Sequence, residues 1–212
     1  MALPRHSFIA PRPGNTNAVR PVTLEPHEIW LFILLAVVLT LGAAILSMMG
    51  LLLLQLLQAR GMELAAAVAL GMLIGPAAVG ARIVEMFAGP RYHPVWTLIA
   101  SAVLVAAGTL LMLSGLPIVA LAIMLYAAGS GIGSIARGTV PLALFGAARY
   151  PALTGRLGRP IMITMAAAPF VGAVAFRWGG ADWTLGLLAA FAVTNVVLVA
   201  LLWRLSLPAQ SA

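Results

Sequence analysis

The sequence has no cysteine and no lysine, and only five acidic residues accompany its twelve arginines. Without cysteine the chain has no disulfide framework, no thiolate metal site and no thiol nucleophile. The three histidines (His6, His27 and His93) lie outside the mid-membrane parts of the apolar runs, where a proton relay or a metal ligand would be expected. We therefore predict no metal site and no cofactor. The net charge of +7 does not indicate nucleic-acid binding, because the arginines are scattered between apolar runs.

Long apolar runs are what the sequence has instead. Hydrophobic residues make up 63% of the chain and charged residues 8%. The first run, 29–59, contains no charged side chain, and about 20 apolar residues already match the ~30 Å hydrocarbon core of a bilayer. The chain is therefore predicted to be a membrane protein in contact with a lipid bilayer. Its fold class is predicted to be all-α, since no strand-length alternation is visible.

Turn residues and charges divide the chain into six predicted transmembrane helices. These cover about 28–57, 64–88, 94–114, 117–145, 159–177 and 183–205. A basic loop is expected before the fifth helix, and a glycine turn before the sixth. The predicted domains are a flexible cytoplasmic tail or linker (1–27), a six-helix transmembrane domain (28–205) and a short cytoplasmic tail (206–212).

Short-loop arginines predict the orientation of this multi-pass chain. Six crossings place both termini on one side, with eight arginines there and only Arg60 and Arg177 opposite. Because arginine is retained on the cytoplasmic side, both termini are predicted to be cytoplasmic. Four tryptophans at the predicted helix ends agree with this arrangement, since indole rings favour the headgroup region. They are Trp30, Trp96, Trp183 and Trp203.

Apart from charged residues at the very ends of the predicted helices, three charged residues fall inside them. At 1.5 Å per residue, Arg82, Glu85 and Arg137 all lie near the cytoplasmic ends of the second and fourth helices, and Arg82 and Glu85 have the spacing of an i,i+3 pair. One interpretation is snorkelling of the arginines to the headgroups. The other is a substrate path or inner gate, with Glu85 as the candidate proton carrier. Gln55 and Asn195 are further polar groups in the apolar runs.

Glycine and proline are concentrated in the second and fourth helices. Small residues permit close helix packing, and proline permits bending, so the residues fit either a fixed bundle or a helix that lines a polar path and bends. The residues predicted to serve packing or bending are Gly71, Gly75, Pro76, Gly80, Gly129, Gly133, Gly138 and Pro141.

The fourth helix also carries Ser130 and Ser134. A serine hydrolase needs a base within hydrogen-bond reach of its serine, and no predicted helix contains histidine or lysine in its apolar part. We therefore predict no enzyme activity and no catalytic residue.

Two strings carry a resemblance to a known family. Residues 69–82 (ALGMLIGPAAVGAR) and 134–146 (SIARGTVPLALFG) resemble the C-terminal six-helix half of a bacterial major facilitator superfamily (MFS) transporter. The resemblance extends over about 28–205. The loop at 89–93 keeps only traces of the family's glycine–acid–basic signature, and the six helices that precede this half in a full transporter are not in the sequence.

The resemblance implies secondary transport of a small solute by alternating access, in the bacterial inner (cytoplasmic) membrane. A second six-helix half would then be needed as a partner, either a second copy in a homodimer or a separate N-terminal half. The alternatives are a truncated or partner-dependent six-span protein that transports nothing alone, and a six-span accessory protein.

Overall fold

The computed structural model describes residues 24–88 and 92–206, and these residues are helical without any strand. The predicted features at 1–23, 89–91 and 207–212, including most of the N-terminal tail, lie outside them. The helices are α1 (Pro26–Ala59), α2 (Leu64–Gly71), α3 (Ile74–Ala88), α4 (Pro94–Leu113), α5 (Val119–Phe145) and α6 (Tyr150–Ser206). Five stretches of this described part are long and apolar enough to cross a membrane, with α2 and α3 together forming one of them.

Helix α6 consists of two arms, 150–179 and 181–206, separated at Gly180. The first arm runs parallel to α1, since Ser47 Oγ lies 2.8 Å from the carbonyl of Met165 and Gly172 packs against Leu52 further along both helices. The second arm runs antiparallel to α1, because Leu198 and Leu205 lie at the N-terminal end of α1. The chain therefore reverses direction at the predicted glycine turn.

Gly180 makes this reversal possible. Its φ of 69° and ψ of −158° fall in a region that is essentially restricted to glycine. Gly180→Ala is expected to lower the free energy of unfolding by about 1–3 kcal/mol, because an alanine there is strained. Gly186→Ala is the matched control in the same arm, since a Cβ at Gly186 meets nothing within 4 Å. Equal unfolding midpoints for the two variants in detergent would contradict this account.

The predicted second helix is not continuous. A turn at Met72 and Leu73 separates α2 from α3, one helical turn before Pro76. Proline cannot donate a hydrogen bond to the carbonyl four residues earlier, here that of Met72, and its ring clashes with that carbonyl. Pro76 thus accounts for the break, which lies within the predicted second span at the proline that was expected to permit bending.

A correction concerns the predicted basic loop and the start of the fifth helix at 159. The helix begins at Tyr150, and Leu153, Leu157 and Ile161 are buried along one face at a spacing of four. Arg156 and Arg159 point away from that face and are exposed. The prediction of a loop was wrong here, because burial of this apolar face outweighs the turn signal of the prolines and glycines.

A hydrogen bond between helices compensates for Pro169 in the first arm of α6. Pro169 has no N–H to donate to the carbonyl of Met165, four residues earlier. Ser47 of α1 donates its hydroxyl proton to that carbonyl at 2.8 Å. A serine from a neighbouring helix thus satisfies a backbone group that proline leaves free, as expected in an apolar surrounding.

Arginines join the ends of neighbouring helices at both ends of the bundle. At one end Arg149 donates to Glu28 at 2.8 Å and to the carbonyl of Phe145 at 3.1 Å. At the other end Arg60 donates to the carbonyls of Met112 and Leu113, the last two residues of α4, and to Asp182. Helix C-termini favour a cation because their last carbonyls are unpaired.

Arg60→Gln is expected to destabilise the protein more than Asp182→Asn. Asp182 is 82% exposed in its ion pair with Arg60, so that pair contributes little. Loss of Arg60 removes the bonds to the end of α4 as well, at an expected cost of about 1–2 kcal/mol. The midpoint of thermal unfolding in detergent measures the difference. A larger loss for Asp182→Asn would contradict the assignment of Arg60 to the α4 carbonyls.

Candidate functional site

A cavity of about 60 Å³ lies between α1, α4, α5 and the second arm of α6. It is at mid-length of the bundle, since Gly42 in the middle of α1 and Asn195 in the middle of the second arm both line it. A cavity of this size has space for several water-sized groups. The polar side chains in its lining are Ser101, Tyr126, Ser130, Arg137 and Asn195.

Arg137 is the only charged side chain in this lining. Its Nε is buried and has no hydrogen-bond partner among the described residues. The residue lies on α5 one turn before Pro141, which leaves the carbonyl of Arg137 without its usual i→i−4 donor. The guanidinium of Arg137 therefore faces the cavity with unused hydrogen-bonding capacity, in a place where an unpaired charge is costly.

Asn195 supplies the second unsatisfied group. The residue is 8% exposed, and its Oδ1 has no hydrogen-bond partner in the described part of the chain. Gly42 on α1 leaves room beside the amide, since a Cβ there would lie 3.8 Å from Asn195 Nδ2. A buried side-chain amide normally has partners for its donors and its acceptor. Arg137 and Asn195 thus give the cavity an unsatisfied cation and an unsatisfied amide.

The three hydroxyl side chains that line the cavity differ in their hydrogen-bond partners. Ser101 donates to the carbonyl of Gly129 at 2.7 Å and joins α4 to α5. Ser130 donates to the carbonyl of Ala127 within α5 at 2.9 Å. Tyr126 is 3% exposed and lines the same space. Each hydroxyl retains acceptor lone pairs that a bound molecule or water can use.

Two of the predicted packing glycines bring the cavity walls together. A Cβ at Gly129 would lie 2.7 Å from the backbone nitrogen of Val105, and one at Gly133 would lie 2.6 Å from Ser101 Oγ. These contacts allow α5 to approach α4 at the level of the cavity. Gly138, also on α5, has only the Tyr150 hydroxyl near it, at 3.9 Å from a built Cβ.

The structure separates Arg82 and Glu85 from Arg137. They line an open groove between α3, α4 and α5, together with Thr97 and Thr139. Arg82 Nε donates to the carbonyl of Gly131 at 3.2 Å, and Glu85 accepts a hydrogen bond from Thr97. Among the described residues the two make no ion pair with each other, although their spacing permits one. Each instead joins α3 to a neighbouring helix.

The remaining predicted residues lie along α2 and α3. A Cβ at Gly71, Gly75 or Gly80 would meet nothing within 4 Å, and Pro76 is exposed. In the most apolar part of Leu64–Phe87, 6% of the residues are buried, against 39–50% in the other four stretches. These glycines thus face outward in the single chain.

Comparison with family models, with curated proteins and with solved structures gives no match to this chain.

Of the residues that line the cavity, Arg137 was predicted from the sequence as a substrate-path residue. Asn195 was not, although a lone amide in the middle of an apolar run is a sufficient signal for a site residue. Ser101 and Tyr126 gave no comparable signal, since hydroxyl residues are common in membrane helices. Chemically, the set can bind a small polar molecule through one cation, an amide and hydroxyls.

Proposed function

We propose that the chain is one half of an MFS-type secondary transporter that carries a small solute by alternating access. The observation that supports this most is the mid-length cavity with Arg137 and Asn195 unsatisfied. Polar and ionisable residues within a membrane domain are costly and usually belong to a substrate or ion pathway. In this proposal the two arms of α6 are separate crossings, which gives six in total.

The arrangement of the ends supports the proposed topology. With six crossings, Glu28 and Arg149 lie at the end that carries most of the arginines, while Arg60 and Asp182 lie at the opposite end. The first end is then cytoplasmic and contains both termini. The membrane in this proposal is the bacterial inner membrane.

The outward face of α2 and α3 supports the need for a partner. A Cβ at Gly71, Gly75 or Gly80 of these helices would meet nothing within 4 Å, and small residues are typical of helix contacts in membranes. A second copy of this chain, or a separate N-terminal half, would cover this face and complete a pathway. The break at Met72 and Leu73 provides a point where this pair of helices can bend.

Counterflow in proteoliposomes tests the function. Vesicles with the purified chain are preloaded with unlabelled glycolate, glycine or glycerol, and uptake of the same labelled solute is then followed. These solutes are an anion, a zwitterion and a neutral molecule of a size suited to the cavity. Saturable counterflow of one of them, absent from protein-free vesicles, is expected. If a chain shown by crosslinking to be dimeric moves none of them, the alternative of a six-span protein without transport of its own replaces the proposal.

A further inference from the structure

The charge balance of the cavity determines what kind of solute it can hold. Arg137 is the one charged group among the described residues that line the cavity, and no carboxylate stands beside it. Glu85, the predicted proton carrier, accepts a hydrogen bond from Thr97 in the separate groove. A cationic solute would add a second positive charge to an apolar surrounding, whereas a monoanion would neutralise the first.

The shape of the guanidinium further restricts the anion. Arginine presents planar N–H donors that match the two oxygens of a carboxylate, often in a bidentate pair. A single unpaired arginine balances one negative charge. The volume of about 60 Å³ suits a solute of a few non-hydrogen atoms. These properties favour a small monocarboxylate.

Asn195 adds a second hydrogen-bonding group to the cavity. Its Nδ2 lies beside Gly42 of the lining, its Oδ1 is buried, and neither atom has a hydrogen-bond partner among the described residues, so the amide can donate and accept. A plain carboxylate can occupy Arg137 but brings no further polar group to this amide. A solute with a hydroxyl group close to its carboxylate satisfies both.

We propose that the cavity binds a small hydroxy-monocarboxylate, with its carboxylate on Arg137 and its hydroxyl hydrogen-bonded to the side-chain amide of Asn195. The inference rests on the proposed function, because it names the substrate class of the same site. It is tested by binding rather than by flux, so the two proposals can fail separately.

The experiment uses the full chain in lipid nanodiscs and saturation-transfer NMR titrations with three probes. Glycolate carries both groups, acetate lacks the hydroxyl, and glycolamide lacks the charge. Glycolate is expected to bind at least about tenfold more tightly than glycolamide, since a charge-assisted pair is worth that much. Acetate is expected to bind a few-fold more weakly than glycolate.

Three variants assign the effects to residues. Arg137→Gln is expected to remove the preference for glycolate over glycolamide, and Asn195→Leu the preference for glycolate over acetate. Arg177→Gln, which changes an exposed arginine of α6 outside the cavity, is the control and should leave both preferences unchanged. Unfolding midpoints identify any variant that does not fold, and the comparison of probes on the wild-type chain does not depend on the variants.

Each outcome supports or overturns the inference. Equal binding of glycolate and glycolamide, no binding of any probe, or an equal loss in Arg177→Gln would overturn it. Equal binding of glycolate and acetate would overturn the role of Asn195. Glycolate binding without counterflow would leave the inference standing and reject transport. Counterflow of glycerol without glycolate binding would reject the carboxylate and leave transport standing.

Discussion

Arg137→Met is expected to abolish solute counterflow while it raises the stability of the protein. The guanidinium has a buried Nε without a partner, and no acidic group lines its cavity. Leaving a buried charged donor unsatisfied costs about 1–3 kcal/mol or more. An arginine in a membrane helix costs up to about 2.5–3.5 kcal/mol at the helix centre on insertion scales, and less towards the helix end, where Arg137 lies. Methionine has a similar length without these costs, so the free energy of unfolding is expected to rise by about 1–3 kcal/mol.

A rise in stability together with a loss of counterflow distinguishes an arginine kept for function from one kept for structure. A residue kept for structure would lose stability on substitution, whereas a residue kept for binding is retained at the expense of stability. Thermal unfolding in detergent and counterflow in proteoliposomes are measured on the same preparation. A destabilised Arg137→Met that retains counterflow would contradict the account. Arg177→Met, at an exposed position, is the matched control and should change neither quantity.

Gly131→Ala is expected to be among the most destabilising single-methyl additions in the chain. A Cβ at Gly131 would lie 2.5 Å from the carbonyl oxygen of Ala78 and 2.8 Å from its Cα, so the backbone of α3 has to move. Overpacking of this kind costs about 1–3 kcal/mol. The movement would also lengthen the 3.2 Å hydrogen bond from Arg82 Nε to the carbonyl of Gly131.

Gly80→Ala provides the control on the facing helix. A Cβ at Gly80 meets nothing within 4 Å, and alanine is favoured over glycine in a helix by about 1 kcal/mol. The midpoint of thermal unfolding in detergent should therefore fall in Gly131→Ala and stay level or rise in Gly80→Ala. If both variants unfold at the same midpoint, α3 does not pack on α5 through Gly131.

Much of the fold follows from the sequence because lipid limits the choice of structure. Apolar runs of sufficient length predict helices, and the bounds of α4 and α5 differ from those expected by only one or two residues. The start of α1 at Pro26 was also close, since proline is favoured in the first turn of a helix. Local signals are sufficient for these elements.

The error at the start of the fifth helix arises where two local signals compete. At 150–158 prolines and glycines indicated a loop, but the spacing of Leu153 and Leu157 places them in the apolar core, and burial of that face outweighs the weak helix propensity of the segment. At Met72 and Leu73 the helix breaks near Pro76, which was predicted to permit bending. The effect of Pro76 falls one turn upstream of the proline itself, so the break does not coincide with the residue that causes it.

The cavity could be predicted only in part. A single charge in an apolar helix makes Arg137 conspicuous, and it lines the cavity. Its separation from Arg82 and Glu85 was not predictable from depth along the membrane, because depth does not specify which face of a helix a residue occupies or which helices are neighbours. The contribution of Asn195 depends on the antiparallel packing of the second arm of α6 on α1, which sequence periodicity does not determine.

The central claim is that a solute reaches this cavity from water, and cysteine accessibility tests it most directly. The chain contains no cysteine, so Ser130→Cys in the cavity and Val197→Cys, 61% exposed on the outside of the second arm, are each the only thiol present. Both variants are treated in proteoliposomes with a membrane-impermeant thiosulfonate reagent that carries a negatively charged sulfonate group. We expect the reagent to modify Ser130→Cys at least about tenfold faster than Val197→Cys, because a water-filled cavity with a fixed positive charge concentrates anions. Glycolate should slow the modification of Ser130→Cys, because it occupies the same cavity. Equal and negligible modification of both thiols would contradict the account.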